Sequence, residues 1–177
     1  QRPSESDGSY PLPEAQRDRF LFKGKVPFPD LESLVEISRR TTGFEEPKVK
    51  AVLSGKSLVK WQKQLSQMPV PEPVAQYASS LILATHPEQP DALPEVKRYV
   101  SYGASPRGLQ AMIRGARVWA AVNGATTVCS DDARDLAHVA LRHRIILNFE
   151  GEAQQVKVDG LIDKILEQIP APARQAE

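Results

Sequence analysis

Apolar residues recur at every third or fourth position over most of the chain, and this spacing is typical of amphipathic helices. It predicts six helices, at about residues 30–40, 57–67, 71–85, 105–122, 130–144 and 159–169. The helix at 105–122 is the best defined, because Ser105 can cap it, Pro106 suits its first turn and Asn123-Gly124 can end it. Its predicted buried face consists of Leu109, Met112, Ile113, Ala116 and Trp119 or Ala120.

The charges of the helix predicted at 130–144 follow the direction of the helix dipole. Ser130 is expected to cap this helix, with two aspartates in its first turn and Arg142, His143 and Arg144 at its far end. We interpret His143 as a partner of the dipole and His138 as a histidine of the core.

The N-terminal part follows a different pattern. Residues 1–19 are polar and rich in turn-forming residues, which indicates an extended loop with one short helical turn near 14–18. Residues 20–28, FLFKGKVPF, predict one strand that Pro27 and Pro29 end. A single strand is not stable alone, so we expect it to pair with a segment outside this sequence or to pack on helices. Residues 86–102 hold three prolines and are expected to form a loop.

The composition, 41% apolar and 25% charged, is ordinary for a soluble globular protein. A net charge of +1 gives no general attraction to nucleic acid or anionic lipid. No apolar run approaches the ~20 residues of a membrane helix, and the start of the chain lacks the layout of a signal peptide. Cys129 has no partner for an intrachain disulfide. We interpret it as a small buried hydrophobe and expect a reduced, cytoplasmic location.

Several motifs of catalytic sites are missing from the sequence. It contains no G-x-x-x-x-G-K-[ST] loop for phosphates, no strand that ends in paired acids for Mg²⁺, and no Cys/His spacing for zinc. We therefore expect that this chain by itself neither hydrolyses ATP nor binds it tightly, and that it holds no metal ion.

Two segments nevertheless carry candidate chemistry. In Tyr10–Lys23, a proline-rich loop presents Arg17 and Arg19 just before the predicted strand. In Tyr102–Arg117, Arg107 lies in the first turn of a helix, where the dipole disfavours a cation but free N–H groups favour an anion. A bound phosphate would explain Arg107. The alternatives are a surface arginine at 107 and a solvated turn in which Arg19 pairs with a neighbouring acid, Glu14 or Asp18.

These segments resemble a known family. The string YPLPEAQRDRF resembles the stretch that follows the sensor 1 strand in MoxR-type AAA+ ATPases, and GASPRG resembles their sensor 2 motif. The resemblance implies a mainly α fold: a helical bundle, the AAA+ lid, preceded by a loop and one strand left over from an α/β nucleotide-binding core. Residues 1–29 would belong to that core and residues 30–177 to the lid.

The resemblance also implies roles for individual residues. Arg19 matches the family's arginine finger, which acts in trans on the ATP of a neighbouring subunit, and Arg107 matches the sensor 2 arginine, which contacts phosphate in cis. Arg17 stands where family members commonly carry an apolar residue, so the choice between Arg17 and Arg19 as the finger stays open. Arg2 replaces the asparagine expected as sensor 1, and no sensor 1 residue is assigned.

The function implied by the family is ATP-driven, chaperone-like maturation of protein complexes. ATP and Mg²⁺ would act in the intact parent protein, in a homo-oligomeric ring expected to be a hexamer, with von Willebrand factor A domain proteins as possible partners. One alternative is a helical interaction module without nucleotide function. Another is a helical nucleic-acid binder that uses Arg107, Arg114 and Arg117, although the small net charge argues against it.

Overall fold

The computed structural model describes residues 12–43 and 49–172, and within these ranges the chain is mainly helical. This confirms the predicted fold class. The elements are α1 Glu14–Arg17, α2 Leu31–Thr41, α3 Gly55–Ser66, α4 Glu72–Leu83, α5 Pro94–Tyr99, β1 Val100–Tyr102, α6 Pro106–Val122, α7 Ser130–Asp135, α8 Ala137–Leu141, β2 Ile146–Leu147, α9 Phe149–Ala153 and α10 Val158–Gln168. Among the residues described, no helix combines the length and the apolar character that crossing a bilayer would require.

The chain divides into two compact units. The smaller unit, Gly24–Gln64, contains α2 and most of α3, and the larger one combines the described residues up to Lys23 with those from Leu65 onward. In the smaller unit, the carboxylate of Asp30 accepts the N–H of Ser33 at 2.8 Å and caps α2. The domain boundary expected after residue 29 stays a prediction.

The core of the larger unit lies between α4, α6, α7, α8 and α10. Its largest fully buried apolar side chains are Leu81, Met112, Leu141, Ile162, Ile165, Val96 and Val128. Burying a side chain of this size stabilises the fold by about 1.5–3 kcal/mol. The buried face of α6 is otherwise built from small residues, namely Gly108, Ala111, Gly115, Ala116 and Ala120, which lets α4 and α7 approach closely. Of the two residues left open at the end of this face, Ala120 is buried and Trp119 is exposed.

Helix α6 begins and ends as its sequence predicts. The Ser105 hydroxyl accepts the N–H of Arg107 at 3.2 Å, and Pro106 occupies the first turn. Asn123 is the C-cap, and Gly124 follows with a φ of 77°, a left-handed conformation that glycine adopts without a steric penalty.

The predicted strand at 20–28 is not formed. Residues 22–30 have no regular secondary structure, because the described parts of the chain offer them no partner strand. The backbone N–H of Lys23 instead donates to the carbonyl of Val139 at 2.9 Å. The strands that do form are β1 and β2, which pair antiparallel through Val100–Leu147 and Tyr102–Ile146. The loop expected at 86–102 therefore contains a helix and a strand.

The helix predicted at 130–144 is also different in the structure. It begins one residue earlier than expected, because Cys129 is the N-cap and its N–H donates to the Asp132 carboxylate at 2.7 Å. Cys129 is half-buried and its sulfur completes this capping box, so it is more than a buried apolar side chain. The helix is interrupted at Leu136 and ends at Leu141.

The structure gives His143 and His138 different environments from those predicted: His143 is buried and His138 is partly exposed. His143 is buried and lies past the helix end, so it is not a solvent-facing partner of the dipole. His138 is partly exposed and lies 2.9 Å from Asp163, so it is not a histidine of the core.

Candidate functional site

The N-terminal segment 12–23 is held on the larger unit by one buried arginine. Arg144 is only 5% exposed, and its guanidinium Nε donates to Asp18 Oδ1 at 3.1 Å. Nη2 donates to the carbonyls of Asp18 at 3.0 Å and Phe20 at 2.6 Å, and Nη1 donates to Leu21 at 3.2 Å and to Ala140. Burial lowers the pKa of Arg144, while the charge of Asp18 raises it. All three nitrogens thus have acceptors, as a buried guanidinium requires.

His143 adds a second bond to the same segment. Its Nε2 lies 3.0 Å from the carbonyl of Phe20, which can only accept, so Nε2 carries the proton. Its Nδ1 is buried, and the described residues provide no partner for it. Burial lowers the pKa of His143, and the bond to Phe20 opposes this shift. The neutral imidazole therefore fits this position better than the charged one.

Asp18 connects the segment to the start of α6. The Ser105 hydroxyl lies 2.8 and 2.9 Å from the two carboxylate oxygens of Asp18 and donates its proton to them. The same hydroxyl oxygen caps α6 by accepting the N–H of Arg107. Arg107 Nη1 lies 3.4 Å from Asp18 Oδ2. One carboxylate thus orients the N-cap of α6 and two arginines.

Arg19 and Arg107 line the same open groove, which has a volume of about 370 Å³. Its other lining residues are Asp18, Leu21, Gln110, Ala111, Arg114 and Arg144. Arg19 is exposed, and within the described ranges its guanidinium has no hydrogen-bond or ion-pair partner. The side chain of Arg107 is 53% exposed, so its contact with Asp18 does not remove it from the groove. The structure therefore brings the two predicted site residues together on one surface.

The charge of this groove suits a phosphate. Four arginines line it with a single carboxylate, so positive charge is in excess. Guanidinium groups match phosphate oxygens in both charge and geometry. The donor set therefore fits the phosphate oxygens of a nucleotide. The described ranges contain no group of three His, Cys, Asp or Glu side chains that could bind a metal ion such as Mg²⁺.

Arg17, the other candidate finger, has a different environment. Its Nη2 lies 3.7 Å from Glu14 in the same helical turn, and its Nε is buried without a partner among the described residues. It does not line the groove. Of the two candidate fingers, Arg19 is therefore the one that lines the groove. Arg2 lies outside the described residues.

The three arginines of the predicted nucleic-acid surface do not share one face. Arg114 lines the groove with Arg107, whereas Arg117 Nε donates to the carbonyl of Met68 at 3.1 Å. Sequence reasoning missed the part played by Arg144, which it took for a dipole partner at a helix end. The one signal was the run of three basic residues at 142–144, and no pattern in it separates Arg144 from its neighbours.

Comparisons with known proteins identify similar chains. Residues 94–166 match the AAA lid domain. Over 172 residues the chain is 35% identical to "Chaperone MoxR1" of Mycobacterium tuberculosis, a match that covers 97% of this chain and 45% of that protein. It is 27% identical over 179 residues to the uncharacterised protein YeaC of Bacillus subtilis, covering 99% of this chain and 52% of that one.

A solved structure matches as well. The crystal structure of a candidate ATPase from Cytophaga hutchinsonii has a TM-score of 0.90 and 32% identity, over 98% of this chain and 53% of that one. The chain thus spans about half the length of these relatives. The lid match and the helical bundle define the C-terminal half of the larger unit as an AAA lid domain. Nearly the whole chain is in addition similar to the chaperone MoxR1.

Proposed function

We propose that this chain is the lid and arginine-finger part of a MoxR-family ATPase that couples ATP binding and hydrolysis to chaperone-like remodelling or maturation of protein complexes. The observation that carries the proposal is the open groove shared by Arg19 and Arg107, in which cationic side chains outnumber acidic ones. The name of the relative MoxR1, a chaperone, supports the remodelling part.

The two arginines differ in ways that suit different roles. The family resemblance assigns Arg107 to the phosphates of its own subunit as sensor 2, and its position in the first turn of α6 leaves its side chain exposed to the groove. Arg19 is exposed and unpaired among the described residues, so it can reach the nucleotide of a neighbouring subunit as the arginine finger. When bound, ATP with Mg²⁺ would supply the terminal phosphoryl group that is transferred to water, with ADP as the leaving group. The arginines of this chain would stabilise the negative charge that develops on the terminal phosphate.

Further parts of the proposal follow from the family. The intact protein would form a homo-oligomeric ring, expected to be a hexamer, in the cytoplasm, with von Willebrand factor A domain proteins as partners. The 177-residue chain alone would not hydrolyse ATP, because its sequence has no phosphate-binding loop.

ATP hydrolysis by the natural full-length protein tests the site. We expect Arg19→Ala to lower kcat by about 10³-fold, the lower end of what arginine fingers contribute. Arg107→Ala should lower kcat/KM as well. The control is Arg98→Ala, since Arg98 is an exposed arginine whose Nε donates to Glu150 at 2.7 Å, away from the groove. Unchanged rates in both groove variants would contradict the proposal and favour an interaction module.

Mixing the two inactive variants tests which subunit each arginine serves. If Arg19 acts in trans and Arg107 in cis, some interfaces of a mixed ring combine an intact Arg107 with an intact Arg19 from the neighbour. Activity should then return on mixing. If both arginines of one chain served the same nucleotide, every site would lack one of them and mixing would restore nothing.

A further inference from the structure

Arg19 lies between two residues that the lid holds by their backbones. The carbonyls of Asp18 and Phe20 both accept from Nη2 of Arg144, and the carbonyl of Leu21 accepts from Nη1. Arg144 itself follows α8, and its Nη1 also reaches the carbonyl of Ala140 in that helix. A single buried side chain therefore connects the end of α8 with both backbone neighbours of Arg19.

A second set of contacts fixes the chain just beyond Arg19. Phe22 packs against Gly115 so closely that a Cβ built on that glycine would lie 2.5 Å from the ring. The N–H of Lys23 donates to the carbonyl of Val139 at 2.9 Å, and the carbonyl of Lys23 accepts from Nη1 of Arg142 at 3.3 Å. The backbone from residue 18 to residue 23 is thus attached at both ends, while the side chain of Arg19 is left exposed.

The chemistry of these contacts requires arginine. A guanidinium is planar and carries five N–H donors in a fixed arrangement, so one side chain can serve several carbonyls of a curved backbone. A lysine ammonium has three donors on one atom and cannot span acceptors that lie on different sides of the group. Arg144 is buried, so it contributes to the groove through the residues it holds more than as an exposed cation.

We propose that Arg144 is the positioning residue of the arginine finger: it attaches the loop of Arg19 to the lid, so that a movement of the lid carries Arg19 with it. The placement of residues 12–23 and 65–172 in one compact unit supports this. The inference rests on the proposed function of Arg19, and it adds a physical link between the finger and the domain that carries Arg107 in the first turn of α6.

Hydrogen–deuterium exchange of the natural full-length protein tests the attachment without using activity. We expect Arg144→Met to speed exchange of the amides of residues 19–23 by about tenfold or more, while amides of α10 keep their rates. Arg98→Met, which removes an exposed arginine, is the matched control and should leave residues 19–23 unchanged. Equal exchange in these amides for Arg144→Met and wild type would overturn the proposal.

A double-mutant cycle tests whether Arg144 acts through Arg19. Arg144→Met should lower kcat for ATP with a smaller change in KM. In the background of Arg19→Ala it should have almost no further effect, because the group it positions is gone. Effects on kcat that multiply in the double variant would mean that Arg144 acts elsewhere and would refute the assignment.

Two further variants keep the test interpretable if Arg144→Met folds poorly. Arg144→Lys retains the positive charge but not the planar set of five N–H donors. We expect it to have a kcat, and a protection of residues 19–23 from exchange, between those of Arg144→Met and the wild type. Gly115→Ala disturbs the loop from the opposite side, through Phe22, and should also expose these amides. If Arg19→Ala leaves ATPase activity unchanged, the proposed function fails, whereas the attachment is judged separately by exchange.

Discussion

Replacing Gly115 with alanine sets a local clash against a gain in helix propensity. Gly115 lies in the interior of α6, where alanine is more favourable than glycine by about 1 kcal/mol. The added Cβ would lie 2.5 Å from Cζ of Phe22 and 2.7 Å from Cδ1 of Leu136. Real Cβ atoms do not approach other atoms this closely, so both side chains have to move.

The magnitude follows from how these two side chains are buried. Phe22 is 37% exposed, so by moving outward it can lose at most about two thirds of the roughly 1.5–3 kcal/mol that a fully buried phenylalanine contributes, which is about 1–2 kcal/mol. Leu136 packs against the smaller core cluster and has less room, and overpacking of this kind costs about 1–3 kcal/mol. After the propensity gain of about 1 kcal/mol is subtracted, we expect Gly115→Ala to lower the free energy of unfolding by about 1–4 kcal/mol.

Chemical denaturation followed by circular dichroism measures this difference, and α10 provides the control. Gly160 also lies inside a helix, but no atom comes within 4 Å of a Cβ built on it. Gly160→Ala should therefore raise stability, by at most about 1 kcal/mol. The two variants are expected to shift the unfolding midpoint in opposite directions. A stabilisation of similar size in both would refute the close packing of Phe22 on Gly115.

Three other perturbations have expected outcomes. Burial gives His143 a pKa in the folded state that is below its unfolded value. Its contribution to the free energy of unfolding is therefore complete above about pH 6.5 and declines as the pH falls. His143→Gln should make the urea midpoint decrease less between about pH 7.5 and pH 5.5. Thr85 is fully buried and accepts the N–H of Ala104 at 2.8 Å, so Thr85→Val should cost about 1–3 kcal/mol in thermal unfolding by leaving that N–H unpaired. Lys164 forms an exposed ion pair with Glu95, and Lys164→Met should leave the melting temperature unchanged.

The helices that carry strong periodicity could be read from the sequence. Helix α6 has a serine cap, a first-turn proline and a terminal Asn-Gly, and all three local signals point to the same boundaries. The helix predicted at 71–85 is also found, as α4. In such segments the local preferences and the packing agree, which is why the pattern alone suffices.

The elements that were missed depend on partners far along the chain. Strand β1 pairs with β2 across more than 40 residues, and a ladder of two or three residues leaves no alternation to detect. The segment 20–28 has strand-like composition, but residues 22–30 form no ladder and the Lys23 N–H bonds to the end of a helix instead. Composition reports what a segment favours, and the available partners decide what it forms.

In the candidate site, too, residues in local motifs could be predicted, whereas a residue that depends on distant partners could not. Arg19 and Arg107 were found from motifs, and the structure brings both to one groove. The burial of Arg144 could not be found, because it arises from three carbonyls more than 120 positions away in sequence. A basic residue after a helix looks like a surface residue until the chain that covers it is known.

The unequal bonds of Asp18 have a consequence for how the groove could exchange ligands. Its contacts with Ser105 and Arg144 are 2.8–3.1 Å long, whereas its contact with Arg107 is 3.4 Å and lies toward solvent. An arriving anion would compete most easily for Arg107. Asp18 would keep its shorter bonds if that arginine moved away, so the backbone around Arg19 would stay in place while an anion binds and leaves.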